Sequence, residues 1–345
     1  MAVTIKDVAK KAGVAPSTVS RVIADNPRIS LDTKKRVRKA MKDLGYHPNI
    51  NARNLAVRSS QAIGVIMPSS ADKALQNPFF PEVLRGIGSF AHEAEYSLYV
   101  STGGNEEDVY EEVQRMVNGN RVDGIILLYS RIADPVQQFL TEKNFPFVMV
   151  GKPSEQESEI TYVDNNNFKA SKDLTNHLID IGHRHIAFIG GSTELTVTLD
   201  RLNGYKSAIE EAGLPLPNEY TVHAEFLKSG GRDAVEQLFA LDEPPTGLVV
   251  ADDLMSLGVI NTLEEIGLSC PEDVSLTSFN NLYLSEITTP PLTTVDIQIY
   301  QLGVQSARCL IEKAKNKDEP AKRIIVPYEI KFRQSTKSNT SETLQ

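Results

Sequence analysis

The chain has 345 residues and a formal net charge of −9 at pH 7. This length exceeds one ordinary hydrophobic core, so we expect a small domain together with one large or two medium domains. No leading apolar stretch has the form of a signal peptide and none approaches the length of a membrane span, which excludes a membrane protein and favours a cytoplasmic one.

The N-terminal end of the chain is predicted to form three short helices. Thr4 can cap the first helix and Asp7 can reach back to it in a capping box, and Gly13 then ends the helix. A second helix begins at Pro16 after only a few residues, so the two must cross sharply, as in a helix-turn-helix. Ser30 can cap a third helix, whose apolar stripe covers the first two.

The polar face of the second helix indicates a nucleic-acid partner. Four of its side chains point away from the predicted core: Ser17, Thr18, Ser20 and Arg21. Short hydroxyls and a long cation hydrogen-bond phosphates and base edges when a helix lies in the major groove. Residues 1–60 hold 13 Lys or Arg against four Asp, a net charge of +9, which leaves −18 for residues 61–345. A basic head on an acidic body predicts that one end contacts a polyanion.

The segments TIKDVAKKAGV, TVSRVI and GYHPNINARNLA resemble the head of the lactose-repressor family of bacterial transcriptional regulators. The resemblance implies an all-α helix-turn-helix headpiece over residues 1–47 that binds double-stranded DNA, with Thr4 and Tyr46 among its DNA contacts. Ala24 replaces a polar residue common in that family, and Asn26 or Arg28 can supply a substitute contact. Ala15 replaces the usual capping Ser, which should cost the second helix about 1 kcal/mol.

Residues 48–60 are predicted to form a hinge helix. Asn49 can cap it and Ala52 and Leu55 lie within it, but so short a helix is marginal in water and should need a partner to form. In the family that the chain resembles, the hinge orders on the operator and inserts a leucine into the minor groove, and Leu55 matches that position. The resemblance therefore adds Asn49, Ala52 and Leu55 to the DNA-binding set. The alternative is an ordinary linker in which Leu55 packs on the next domain.

From residue 61 onward, apolar strands alternate with amphipathic helices. This pattern is typical of a parallel sheet wound with helices on both faces. Two such sets predict an α/β body of two doubly wound parallel-sheet lobes, like that of periplasmic binding proteins, with a ligand cleft between the lobes. The predicted boundaries are 61–333 for the body, about 61–161 and 293–323 for the N-lobe, about 162–292 and 324–333 for the C-lobe, and 334–345 for a polar disordered tail.

The body shows no recognisable catalytic or metal site. It lacks a GxSxG, a Walker loop and a dinucleotide fingerprint, because GGS at 190–192 does not have the required spacing. Asp252 and Asp253 are neighbours at a strand end, an arrangement that rarely gives an acid and base pair. Cys270 and Cys309 are isolated and fit buried thiols. We therefore expect neither an enzyme nor a metal or organic cofactor.

The resemblance continues through the body in NPFFPEVLRGI, DRLNGYKSA, VADDLMSLG and PPLTTV. It implies that these residues bind a small effector: Phe79, Arg201, Phe226, Asp252 and Asn280. The planar fork of Arg201 suits paired ligand oxygens, and Phe226 matches an aromatic that stacks on sugar rings. Asn280 stands where the family usually has Asp, and its amide both donates and accepts. For each residue, lobe packing or a helix cap is the alternative.

Within this family the chain most resembles repressors of maltose operons in low-GC Gram-positive bacteria. NPFFPEVLRGI, RVDGIILLY, VGKP and TVTLDRLNGY carry that likeness. It implies maltose or a short maltodextrin as the effector, although another sugar would be consistent with the same chemistry. Release and promotion of DNA binding by the effector are both compatible with this architecture.

A homodimer on a pseudo-palindromic operator is the expected assembly, because two recognition helices must lie about one helical turn apart. The polar tail has no leucine heptads, so no tetramer is expected. Three alternatives stay open: a regulator that responds to another sugar or to a phosphocarrier protein, a cytoplasmic solute-binding protein without DNA function, and an enzyme with an unrecognised site.

Overall fold

The computed structural model describes residues 3–23, 25–46, 59–68 and 71–339. The chain divides into two units, residues 1–60 and residues 61–345. Among the described helices, none combines the length and the apolar character that a membrane crossing requires.

The smaller unit contains three helices: α1 (Ile5–Ala12), α2 (Pro16–Ile23) and α3 (Leu31–Leu44). The Thr4 backbone N–H donates to Asp7 Oδ2 at 2.9 Å, and Gly13 takes the left-handed conformation that ends α1, with φ 63°. The Ser30 hydroxyl accepts from the Thr33 backbone N–H at 3.3 Å and caps α3. The three helices share one apolar core: Val8, Ala9, Ala12, Val19, Val22, Val37 and Ala40. The predicted helix-turn-helix is therefore confirmed.

The larger unit alternates strands and helices. Its first set is β1 (Ala62–Ile66), α4 (Ala71–Gln76), α5 (Phe79–Glu93), β2 (Ser97–Val100), α6 (Glu106–Asn118), β3 (Gly124–Leu127), α7 (Pro135–Glu142), β4 (Phe147–Val150) and β5 (Tyr162–Asp164). Its second set is α8 (Asn167–Asp180), β6 (Ile186–Gly190), α9 (Thr196–Glu211), β7 (Thr221–His223), α10 (Lys228–Leu238), β8 (Gly247–Val250), α11 (Asp253–Glu265), β9 (Ser275–Phe279), α12 (Leu284–Ile287) and β10 (Thr293–Asp296). The last elements are α13 (Ile299–Lys315), β11 (Arg323–Ile325) and β12 (Glu329–Lys331).

Two six-stranded sheets form the two lobes. The N-lobe sheet has the order β11-β5-β4-β3-β1-β2 and is parallel throughout. In it, Ile63 of the interior strand β1 lies opposite Leu98 on one side and Gly124 on the other. The C-lobe sheet has the order β12-β10-β9-β8-β6-β7, and only β12 runs antiparallel to its neighbour. The predicted pair of doubly wound lobes is confirmed.

The predicted lobe boundaries were wrong by a few residues at each crossing. β5 and β11 belong to the N-lobe sheet, whereas β10 belongs to the C-lobe sheet. The chain therefore crosses between lobes after each of these strands rather than before it. Asn165 joins the three crossings, because its Nδ2 donates to Ile297 O at 3.0 Å and to Val326 O at 2.9 Å. Strands of only three or four residues carry too little periodicity to mark which sheet they join.

The prediction of a disordered tail was also wrong for residues 334–339, and residues 340–345 lie outside the described part of the chain. Ser335 is fully buried on the C-lobe. Its hydroxyl donates to Leu276 O at 2.6 Å and accepts from the Thr293 N–H at 2.8 Å. Polar composition misled the prediction, since the Ser335 hydroxyl satisfies backbone groups of the sheet instead of facing water.

Glycines let pairs of helices pack with their backbones in contact. In the N-lobe, a Cβ on Gly86 of α5 would lie 2.1 Å from Tyr300 O of α13, and a Cβ on Gly303 would lie 2.2 Å from Val83 O. In the C-lobe, a Cβ on Gly204 of α9 would lie 2.1 Å from Phe168 O. Such contacts leave no room for a side chain, so each lobe is closely packed inside.

Gly86→Ala should destabilise the chain by about 1–3 kcal/mol, because α5 and α13 must separate to admit the methyl group. Gly88→Ala on the same helix is the matched control. A Cβ there would meet only Leu98 at 3.8 Å, so the gain in helix propensity should stabilise the chain by up to about 1 kcal/mol. Urea denaturation of both variants measures the difference. Equal effects would show that the contact between α5 and α13 is not tight.

Candidate functional site

One face of α2 in the smaller unit carries exposed polar side chains. Ser17, Ser20 and Arg21 are exposed, as predicted, whereas Thr18 is half-buried. Pro16 begins this helix, and the Thr18 N–H donates to Ala15 O at 2.9 Å. Two exposed hydroxyl side chains and one cation therefore lie within about one and a half turns of this helix.

Other predicted contacts of this unit have roles in its own turns. The Thr4 hydroxyl donates to Asp7 Oδ2 at 2.7 Å, so its proton is committed to the start of α1. Asn26 is half-buried and its Oδ1 accepts from the Arg28 N–H at 2.9 Å. Arg28 is exposed and Tyr46 is half-buried against the core. The hinge positions Asn49, Ala52 and Leu55 lie outside the described residues, and their contacts with DNA stay predictions.

An ionic cluster fixes the turn between α2 and α3. Lys34 is nearly buried, and its Nζ lies 3.1 Å from Asp25 O and 3.0 Å from Asp25 Oδ1. Arg38 adds a contact with the same carboxylate oxygen at 2.8 Å. The Lys34 ammonium, by hydrogen bond and by charge, holds the pKa of Asp25 below its ordinary value, and Arg38 contributes further. The cluster therefore connects the turn after α2 to α3.

The larger unit encloses a cavity of about 580 Å³ between its lobes. The cavity lies at the loops that follow the strands, where ligands of parallel sheets bind. The structure brings all five predicted effector residues to its wall: Phe79, Arg201, Phe226, Asp252 and Asn280. They come from both lobes, and residues separated by up to 201 positions meet there.

Aromatic rings from both lobes form the apolar part of the wall. Phe79 and Phe80 begin α5 and pack edge to face, with ring centroids 5.2 Å apart. Phe226 enters from the C-lobe and lies over the backbone of Gly191, where a Cβ would be 2.3 Å from the ring. Tyr129 also lines the cavity. The cavity thus offers flat apolar faces of the kind that stack on sugar rings.

Arg201 of α9 is the buried cation of the cavity. Its Nε donates to Asn167 Oδ1 at 2.9 Å and its Nη1 donates to Ala251 O at 2.6 Å. The guanidinium lies over the Phe279 ring, 4.1 Å from the centroid. Burial lowers the pKa of Arg201 to about 10, against the opposing effect of nearby carboxylates such as Asp252. The side chain therefore stays charged at neutral pH and is held rigidly.

Asp252 has all its acceptor positions filled by the protein. Oδ1 accepts from the backbone N–H groups of Leu254 at 2.7 Å and Met255 at 3.3 Å, which caps α11. Oδ2 accepts from Asn77 Nδ2 at 2.9 Å and Asn280 Nδ2 at 2.8 Å. Burial raises the pKa of this carboxyl to about 6. A carboxylate has about four acceptor positions, and all four are used here. Asp252 is therefore better described as the cap of α11 than as a direct ligand contact.

The carboxylate of Asp252 explains why position 280 holds Asn rather than Asp. An Asp at this position would place a second negative charge beside Asp252, whereas the amide donates to it. The donation uses Nδ2, which leaves the Oδ1 atom of Asn280 as the group that can face a ligand. A ligand contact by Asn280 stays a prediction.

The residues that join the two lobes around the cavity were not predicted from the sequence. Asn77, two residues before the predicted Phe79, is buried and contacts the C-lobe. On a different pair of loops, the Ile132 N–H donates to Glu194 O at 2.9 Å and the Thr196 N–H donates to Ser130 O at 3.1 Å. Asn77 stood inside the quoted segment NPFFPEVLRGI, and a polar residue just before a helix that begins with two Phe was the available signal.

Asp253 is a second buried carboxyl, beside the cavity wall. It accepts from the Leu282 N–H at 2.7 Å and from the Thr294 hydroxyl at 2.8 Å. Burial raises its pKa from 3.8 to about 7. The folded chain therefore holds this proton at pH values where the unfolded chain has released it. Folding takes up a proton between about pH 4 and pH 7, and the stability that Asp253 contributes falls as pH rises through this range.

Asp253→Asn should flatten the pH dependence of unfolding. Urea denaturation of the full chain between about pH 4.5 and 6.5 should show a slope less negative than that of the parent by up to about 1.4 kcal/mol per pH unit, because one proton fewer is taken up on folding. Asp233→Asn replaces an exposed carboxyl on α10 and is the matched control. If both variants keep the slope of the parent, Asp253 does not hold a proton in the folded chain.

Known proteins resemble the chain over both units. The family described as bacterial regulatory proteins, lacI family, matches residues 4–49, and the periplasmic binding protein-like domain matches residues 175–336. An HTH-type transcriptional regulator, MalR, of Streptococcus pneumoniae is 41% identical over 337 residues, which cover 96% of this chain and 99% of that protein.

Two solved structures have the same fold. One is described as a probable maltose operon transcriptional repressor from Staphylococcus aureus, with 29% identity, a TM-score of 0.74, and coverage of 80% of this chain and 98% of that one. The other is the lac repressor dimer bound to operator and an anti-inducer, with 25% identity, a TM-score of 0.84, and coverage of 98% of this chain and 100% of that one.

Proposed function

The chain belongs to the lacI family of bacterial DNA-binding transcriptional regulators, and we propose that it represses genes for the use of maltose or maltodextrins. In this proposal, a sugar bound between the two lobes controls its affinity for the operator. The working unit is a cytoplasmic homodimer on a pseudo-palindromic operator. The Staphylococcus aureus structure described as a maltose operon repressor supports the target genes, and the lac repressor dimer on operator supports the assembly.

The cavity between the lobes is the observation that carries the effector proposal. It combines aromatic faces from both lobes with the rigid guanidinium of Arg201 and the amide of Asn280. Sugars present apolar C–H faces to aromatic rings and hydroxyl pairs to planar donors. A cavity of about 580 Å³ lies within the usual range of about 300–1,000 Å³ for ligand sites and suits a disaccharide or a short maltodextrin.

The charges of the cavity support an uncharged effector. Each of the three cations on its described wall has an acidic group beside it. Lys73 Nζ lies 2.7 Å from Glu225, and Arg131 contacts Glu106. Arg201 faces buried carboxylates. A phosphorylated sugar would need a cation to match its extra charge, so a neutral oligosaccharide fits the wall better.

The effector acts through the geometry of the dimer. Two copies of α2 enter successive major grooves about 34–36 Å apart, so a change in the angle between lobes alters their spacing. Operator affinity and effector affinity then change reciprocally, by a coupling that is typically about 1–3 kcal/mol.

Binding of an operator duplex by the full chain tests the effector. A duplex selected from a random pool is followed by fluorescence anisotropy at fixed salt, since phosphate contacts make affinity depend on salt. Maltose or maltotriose should change the affinity about 5–150-fold, the usual range of allosteric coupling, whereas glucose and ribose should not. Operator binding that no sugar changes would contradict the effector proposal and leave the DNA-binding assignment in place.

Arg21→Ala tests the recognition surface. Loss of a base contact should weaken operator binding by about 1–3 kcal/mol and relax sequence preference, with sugar affinity unchanged. Arg36→Ala removes the same charge from the exposed face of α3 and is the matched control. It should weaken operator and random duplexes alike. Arg21 does not read base edges if its variant also weakens both duplexes alike.

A further inference from the structure

Asn77 connects the lobes with a side chain that is 4% exposed. Its Nδ2 donates to Phe226 O at 3.1 Å and to Asp252 Oδ2 at 2.9 Å, both in the C-lobe. Its Oδ1 accepts from the Phe79 N–H at 2.9 Å, in its own lobe. The acceptors and the donor fix the orientation of the amide, because its nitrogen must face the two oxygens.

This one amide holds cavity residues of both lobes. It fixes the first turn of α5, which carries Phe79, and it fixes the backbone that carries Phe226. Through Asp252 it also reaches the start of α11 and the amide of Asn280. Asn77 therefore helps to set the distance between the aromatic faces that are proposed to hold the sugar.

The neighbouring connections differ from Asn77 in kind. The ion pair of Lys73 with Glu225 is more than half exposed, and such pairs contribute little to stability. The hydrogen bonds of Ile132 and Thr196 join backbone to backbone and do not depend on a side chain. Asn77 is a buried side chain that makes a hydrogen bond to a buried carboxylate, the stronger class of hydrogen bond.

We propose that Asn77 is the positioning residue that converts effector binding into closure of the lobes. This inference rests on the proposed function, in which the cavity takes a sugar. When the lobes separate, the hydrogen bond between Asn77 Nδ2 and Asp252 Oδ2 breaks, and each atom forms a hydrogen bond to water instead. A ligand that fills the cavity excludes that water and so strengthens the bond, because hydrogen bonds gain strength where the local dielectric is low. Asn77 acts through Asp252 and Phe226 rather than through operator contacts.

Two isosteric variants break this connection from opposite sides. Asn77→Asp keeps the acceptor for the Phe79 N–H but turns a carboxylate oxygen toward Phe226 O and Asp252. Asp252→Asn keeps the oxygen that caps α11 but turns an amide nitrogen toward the amide of Asn77. The double variant Asn77→Asp with Asp252→Asn restores one donor and one acceptor across the cleft. Asn144→Asp makes the same chemical change at an exposed site of the N-lobe and is the matched control.

Hydrogen exchange of the full chain, read by mass spectrometry without sugar, measures lobe closure at a distance from the mutated site. The amides of Ile132 and Thr196 donate across the cleft, so they exchange when the lobes part. Each single variant should exchange these amides about tenfold faster than the parent, the effect of losing a hydrogen bond to a charged group. The double variant should recover part of the protection, and Asn144→Asp should match the parent.

The outcomes separate this inference from the proposed function. Faster exchange confined to the segments around residues 77–80 and 225–227 would overturn it, because Asn77 would then have only a local role. In a second outcome, maltotriose protects the amides of Ile132 and Thr196 equally in the parent and in Asn77→Asp, and changes operator affinity equally in both. That result would overturn the role of Asn77 and leave the sugar effector in place. If the single variants open the cleft and no sugar protects these amides, Asn77 closes the lobes but the effector proposal fails.

Discussion

The buried carboxylate of Asp252 is the constraint on which the ligand cavity depends. A charge without water must have its acceptor positions filled, and the donors come from three places: the first turn of α11, the loop after β9 and the opposite lobe. Even with these donors, burial raises the pKa of the carboxyl to about 6, so its environment only partly replaces water. The closed arrangement of the two lobes is therefore the one that satisfies this group.

Each lobe is closely packed inside, so the proposed change in the angle between the lobes treats each lobe as a unit. Parallel strands place the cavity loops at one edge of each sheet. The helices that flank the sheets pack closely against each other at glycines. At the crossings, Asn165 ties three chain segments together through Ile297 O and Val326 O. In the proposed mechanism the angle between the lobes changes, with Asn165 at the crossings between them and Asn77 on the wall of the cavity.

Sequence periodicity predicted most of the fold, and the family resemblance supplied the candidate residues of the cavity, but neither showed how the cavity is held. Long helices such as α6 and α8 repeat apolar residues over several turns, which is the pattern that predicted amphipathic helices between the strands. β5 and β10 are too short for a pattern, and their lobes were misassigned. The bond between Asn77 and Asp252 joins residues 175 positions apart, a proximity that no local spacing encodes. The same bond explains why Asp252, predicted as a ligand acceptor, is already fully bonded.

The energy required of the proposed Asn77 connection is within reach of one hydrogen bond. A typical allosteric coupling is about 1–3 kcal/mol, and a hydrogen bond to a charged group contributes about 1.5–3 kcal/mol. The closely packed lobes and the crossings at Asn165 confine that energy to one motion, so little is lost in local adjustment. In the proposed mechanism the angle between the lobes carries the signal, so a single amide in the cleft is enough to account for the response.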